Sequence, residues 1–175
     1  MVQYETNFDF TVPDKDIERH GSYADTLLVK DAYETKDYYN GNPYAAYIGG
    51  DYALNHIVNK LAPNDKKVLL VRDSFACAFT PFLAQSCAQL DTIDMRAFQG
   101  TIAQYIVESK PDIVLFLYRE DYYSSVDGPS EEVDKNKGEC IVAKNRHGES
   151  KSIPLHWQGE FMRFTSQEVI HSAPY

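Results

Sequence analysis

Apolar positions follow two different rhythms along the chain. Residues 4–12 alternate, with Tyr4, Thr6, Phe8, Phe10 and Val12 on one face, which predicts a half-buried strand. Residues 13–25 are polar, carry Pro13 and Gly21, and predict a loop; residues 26–29 (TLLV) predict a short strand. Asn40-Gly41-Asn42-Pro43 and Gly49-Gly50 are turn signals. From Asp51 onward Leu54, Ile57, Val58 and Leu61 recur at helical spacing and Pro63 closes the run, so a helix is expected there.

The centre has a different texture. Val68-Leu69-Leu70-Val71 is a continuous apolar run between charges, as in a strand buried on both faces. Residues 74–89 predict a helix that restarts at Thr80-Pro81, residues 91–95 a second strand, and residues 99–109 a helix with Ile102, Ile106 and Val107 inward. Lys110-Pro111 ends that helix and residues 113–118 (IVLFLY) predict a third buried strand. Strand and helix in alternation imply right-handed crossovers and a parallel sheet covered on both faces, an α/β class. Residues 124–138 are polar and predict a long loop. Residues 139–145 and 150–157, parted by His147-Gly148, predict a β-hairpin, with one more strand at 160–164. The chain therefore divides into an α/β domain over 1–123, which need not be complete, and a loop-plus-hairpin extension over 124–175.

Composition narrows the choices. At 175 residues and 43% hydrophobic, one ordinary core is within reach. The formal charge of -9 argues against a nucleic-acid groove and an anionic membrane surface, so no nucleic-acid partner is expected. Many of the thirteen tyrosines fall in 33–52 and 118–123, where packing beside a sheet is the first expectation and carbohydrate or protein contact the second. Cys77, Cys87 and Cys140 show no metal-ligand spacing, so no metal and no cofactor is expected, and they read as core residues. No run approaches a membrane span, and the first residues lack the basic start and apolar core of a signal peptide.

The candidate chemistry lies after the first central strand. Arg72-Asp73-Ser74-Phe75 stands at the carboxyl end of residues 68–71, where open α/β sheets bind ligands. A serine there meets the N–H groups of the following helix, which can hold an oxyanion, but it needs a base. Asp73 or Ser74 serving only as a helix cap is the competing reading.

In their order, Tyr47-Ile48-Gly49-Gly50-Asp51, Val68 to Phe75, Pro81-Phe82-Leu83-Ala84, Ile93-Asp94-Met95-Arg96 and Lys110 to Tyr118 resemble the C-terminal half of the DHHW family. That family is similar to alginate O-acetyltransferase proteins, with a three-layer flavodoxin-like, SGNH-hydrolase-like fold. The resemblance implies Ser74 as nucleophile with Asp73 beside it. It matches Gly49 and Gly50 to a double glycine at the substrate, and Arg96 to an arginine with an ion-pair or substrate-contacting role. It further implies a serine esterase or O-acetyltransferase acting on cell-surface polysaccharide outside the cytoplasm, with a glycan or acetylated polysaccharide as partner. The Asp-His-His-Trp run of the family does not precede Ser74. His20 and His56 precede it; His147, His156 and His171 follow, and Glu168 stands three before His171. The expectation is therefore an incomplete or inactive enzyme whose Asp–His half comes from a partner. The alternative is a carbohydrate-binding or protein-interaction module that keeps the fold.

Overall fold

The computed structural model describes residues 5–35, 43–119, 134–161 and 163–166. The predicted turn residues 40–42, most of the predicted loop over 124–138, Glu168 and His171 lie outside them. Nine strands among the described residues form one mixed sheet in the order β2-β1-β3-β5-β4-β6-β7-β8-β9.

The two central apolar runs become its axis. β4 (Lys67–Arg72) lies between β5 (Gln89–Asp94) and β6 (Ile113–Tyr118), parallel to both. The chain leaves β4 for β5 on one side, then crosses to β6 on the other. The carboxyl end of β4 is therefore a topological switch point. The helices that make these crossings sit on opposite faces. α3 (Thr80–Gln85) contributes Leu83 and Ala84 to a core with Phe8, Phe10, Leu70 and Leu90. α4 (Ile102–Ser109) lays Ile102, Tyr105 and Ile106 over Leu69, Val71, Ile93 and Val114. Thr101 caps α4, and Lys110 ends it in the left-handed region at φ 50°.

Outside this centre the pairing is antiparallel, which corrects the all-parallel expectation. β1 (Phe8–Val12) pairs with β2 (Ile17–Gly21), so residues 13–25 are a hairpin arm rather than a loop. β1 also pairs with β3 (Leu54–Asn59), which pairs with β5. β3 replaces the helix expected from Asp51. Its Leu54, Ile57 and Val58 satisfy helical spacing, but strands on both flanks take its backbone groups and bury Asn55, Ile57 and Asn59 at period two. Residues 26–29 are not a strand: Ser22 and Asp25 cap the short helix α1 (Tyr23–Thr26), and Leu27 closes it. A further short helix, α2 (Lys30–Thr35), follows. The helix expected over 74–89 is a 3-10 turn, Ser74–Cys77, followed by α3.

The hairpin forms as β7 (Lys137–Asn145) and β8 (Lys151–Gln158), extended by β9 (Arg163–Ser166). β7 pairs with β6, so the hairpin continues the central sheet. No helix among the described residues is long and apolar enough to cross a membrane.

Candidate functional site

Arg72 closes β4 with its side chain fully enclosed. Its guanidinium donates to Tyr52 O at 3.1 Å, Thr92 Oγ1 at 3.3 Å, Asp73 O at 3.4 Å and Asp51 Oδ1 at 3.5 Å. Asp94 Oδ2 lies 3.7 Å away. A buried guanidinium persists only with such partners, and these bind the turn at Gly50-Asp51-Tyr52 to β4 and β5.

Asp73 caps the 3-10 turn by accepting from Phe75 N at 2.9 Å. Burial raises its pKa above the ordinary carboxylate value, against the lowering effect of the Phe75 and Ala76 N–H groups and of Arg96 and Arg119. Ser74 opens the turn, half-buried.

The two glycines act through backbone shape. Gly49 at φ 76° and Gly50 at φ 137° occupy the region that L side chains avoid. A Cβ on Gly50 would stand 2.5 Å from the Tyr52 ring, and one on Gly49 would stand 3.0 Å from Phe10 and from Arg19 Nη1. Arg96 forks onto Asp94, with Nε 2.9 Å from Oδ1 and Nη2 on Oδ2. Burial alone would raise the pKa of Asp94; the Arg96 bonds and the charge of Arg72 outweigh it and hold the carboxyl low.

The histidines are elsewhere. His56 Nδ1 meets Asp91 Oδ1 at 2.8 Å on the α4 side of the sheet, and His20 Nδ1 meets Asp9 Oδ1 at 2.6 Å. His147 is exposed in the β7–β8 turn. His156 lies in β8 next to Trp157, and alternation turns it to the face away from the Ser74 turn. Among the described residues none is hydrogen-bonded to Ser74.

Sequence reasoning missed what does face this turn. Phe75 packs on Tyr44 and on Trp157, each at 5.5 Å between ring centroids. Arg119, just past β6, lies over Phe75 at 5.1 Å and over Trp157 at 4.2 Å. The only signal for Arg119 was a charge directly after an apolar run, the pattern that also marks Arg72.

The comparisons point to another part of the chain. Residues 103–166 match the DnaB-like helicase C terminal domain family. The replicative DNA helicase DnaB of Rickettsia felis is 35% identical over 74 residues, covering 35% of this chain and 15% of that protein. The replicative DNA helicase DnaC of Bacillus subtilis is 39% identical over 62 residues, covering 35% and 13%. The chain thus spans a small part of the curated relatives it matches. Bacillus cereus PatB1, at 25% identity and 37% of its own chain, and a DHHW family protein from Eubacterium siraeum, at 17% and 35%, superpose over 65% of this chain. Both do so at a TM-score of 0.46, too low to carry a conclusion about fold or activity.

The helicase matches overturn the DHHW reading and what hung on it. That covers the polysaccharide esterase or acetyltransferase, the carbohydrate-binding or interaction module offered as its alternative, the glycan partner and the partner-supplied Asp–His half. The placement outside the cytoplasm rested on that resemblance alone and falls with it. Two physical reasons explain the error. The closing piece of the motif series, Lys110 to Tyr118, lies inside residues 103–166, and a buried strand after a capped helix is too common among α/β sequences to single out one family. The exclusion of nucleic acid used the charge of the whole chain, which hides local asymmetry. Over the stretch from α4 to β9, the chain is similar to the C-terminal domain of replicative DNA helicases.

Proposed function

We propose that this chain works on DNA as a module of the replicative-helicase kind, through residues 103–166. The observation that carries the reading is the match of that stretch to the DnaB-like helicase C terminal domain. Charge within the stretch is uneven: residues 103–166 hold eight Lys and Arg against eleven Asp and Glu, and the basic excess is confined to residues 135–163, with six against three. Contact with DNA phosphates needs such a local excess rather than a basic whole. The sequence has no G-x-x-x-x-G-K-[ST] run, the pattern whose backbone cradles nucleotide phosphates. The reading therefore assigns DNA contact, not nucleotide hydrolysis, to these residues.

For the residues around the β4 turn the same reading gives shaping roles. Asp73 caps the turn, Ser74 opens it, Gly49 and Gly50 supply the backbone angles, and Arg96 neutralises Asp94. The doubly wound order β5-β4-β6 supports a flavodoxin-like description of the three central strands alone.

The test is chromatography of the full chain on single-stranded DNA–cellulose beside plain cellulose. Retention on the DNA matrix alone, released by salt, is expected. Passage through both columns, or equal retention on both, overturns the reading.

A further inference from the structure

The carboxyl end of the sheet is a poor place for phosphates, since Arg72 and Arg96 are committed to Asp51 and Asp94. The amino ends of β4 and β6 are different. There Asp112, just before β6, ties three segments together. Its N–H donates to Lys67 O at 2.8 Å, its Oδ2 accepts from Lys67 N at 3.0 Å, and its carbonyl accepts from Arg146 N at 2.9 Å. Arg146 Nη1 lies 3.6 Å from Asp112 Oδ1, and Lys144 Nζ donates to Pro111 O at 2.6 Å. The Lys67 N–H first, then the charges of Arg146 and Lys66, outweigh burial and hold the Asp112 carboxyl below its ordinary range. The Lys67, Lys144 and Arg146 contacts therefore converge on Pro111-Asp112.

Lys66 and Lys67 come from β4 and its approach, Lys110 from the end of α4, and Lys144 and Arg146 from β7 and its turn. Their acidic neighbours in sequence are Asp65, Glu108, Asp112 and Glu149. Asp65 is paired with Lys66, Glu108 accepts from Gln104, and Asp112 is bound as above. Lys67 and Lys110 are exposed and have no ion-pair partner among the described residues.

We propose that this edge binds the sugar-phosphate backbone of single-stranded DNA, with Lys67 and Lys110 as direct phosphate contacts beside Arg146. The proposal rests on the functional reading above and extends it, since Lys66 and Lys67 lie outside the helicase-like stretch. Backbone contact by lysines is independent of sequence and displaces condensed counterions.

The experiment is fluorescence anisotropy of a labelled oligothymidylate titrated with the full chain across a salt series. The variants are Lys67→Gln/Lys110→Gln and, as a remote control, Lys15→Gln in the β1–β2 turn; thermal melts check folding. For the double variant, the slope of log affinity against log salt should fall by about 1.4, at roughly 0.7 per lost contact to a single strand. The Lys15 variant should match the wild type. Binding by wild type with an unchanged slope in the double variant overturns this edge and leaves the functional reading standing. Equal losses in both variants also overturn it, and absence of wild-type binding overturns both proposals together.

Discussion

The Arg119 guanidinium lies 4.2 Å from the centre of the Trp157 ring, and the same cation lies 5.1 Å from Phe75. This contact joins the helicase-like stretch to the turn after β4. Trp157 is 4% exposed and also packs on Phe164 at 4.7 Å. Trp157→Ala is expected to cost about 3–5 kcal/mol in urea unfolding, as for other buried aromatic truncations. Phe75→Leu should cost less, because it keeps most of the apolar volume. A loss below about 1 kcal/mol for Trp157→Ala would show that the joint contributes little.

Gly50 is the second place where one atom matters. At φ 137°, with Tyr52 where a Cβ would go, Gly50→Ala should destabilise the chain by about 1–3 kcal/mol. Tyr52→Ala in the same background should recover the steric part of that cost but not the backbone part. The midpoints of chemical unfolding for the four combinations decide between them.

Acid sensitivity follows from Asp91. This carboxylate is 4% exposed and accepts from Tyr105 Oη at 2.8 Å and Gln89 Nε2 at 3.0 Å, beside His56. Burial would raise its pKa; the bonds to His56, Gln89 and Tyr105 outweigh burial, and the folded value is lowered. A lowered folded value means stability that is present above the unfolded pKa and lost as pH falls through the folded one. Wild-type stability should therefore drop below about pH 4, and Asp91→Asn should flatten that drop. An unaltered acid limb in the variant would contradict this role.

Ser74 is expected to be silent as a nucleophile. No histidine among the described residues is bonded to it, and serine without a base is a weak nucleophile. Incubation with a fluorophosphonate probe should give no labelling above that of Ser74→Ala, and the substitution should shift stability by less than about 0.5 kcal/mol. Labelling that disappears in the variant would return catalysis to this turn.

How far the sequence could be read depends on which interaction decides each element. β4, β5, β6 and the β7–β8 hairpin were legible, because continuous apolar runs and a His-Gly turn leave few alternatives. β3 was not, since spacing alone cannot separate Leu54-Ile57-Val58 on a helix from the same residues on a strand with partners on both sides. β2 was missed because Ile17–Gly21 alternates with charges and buries little of itself. The Asp73 cap was legible as one of two readings. The Arg72 hub and the Arg119–Trp157 contact were not, as they join residues 20 to 40 positions apart.

DNA contact is assigned to the α4–β9 stretch together with the amino end of β4 beside it, and not to the turn after β4. Hydrogen–deuterium exchange of the full chain, with and without single-stranded DNA, locates that contact. Slowed exchange is expected in Lys137–Asn145, Lys151–Gln158, the turn between them and the segments around Lys67 and Lys110, with Ser74–Cys77 unchanged. No protection anywhere, or protection confined to Ser74–Cys77 and Gly49-Gly50, would contradict it.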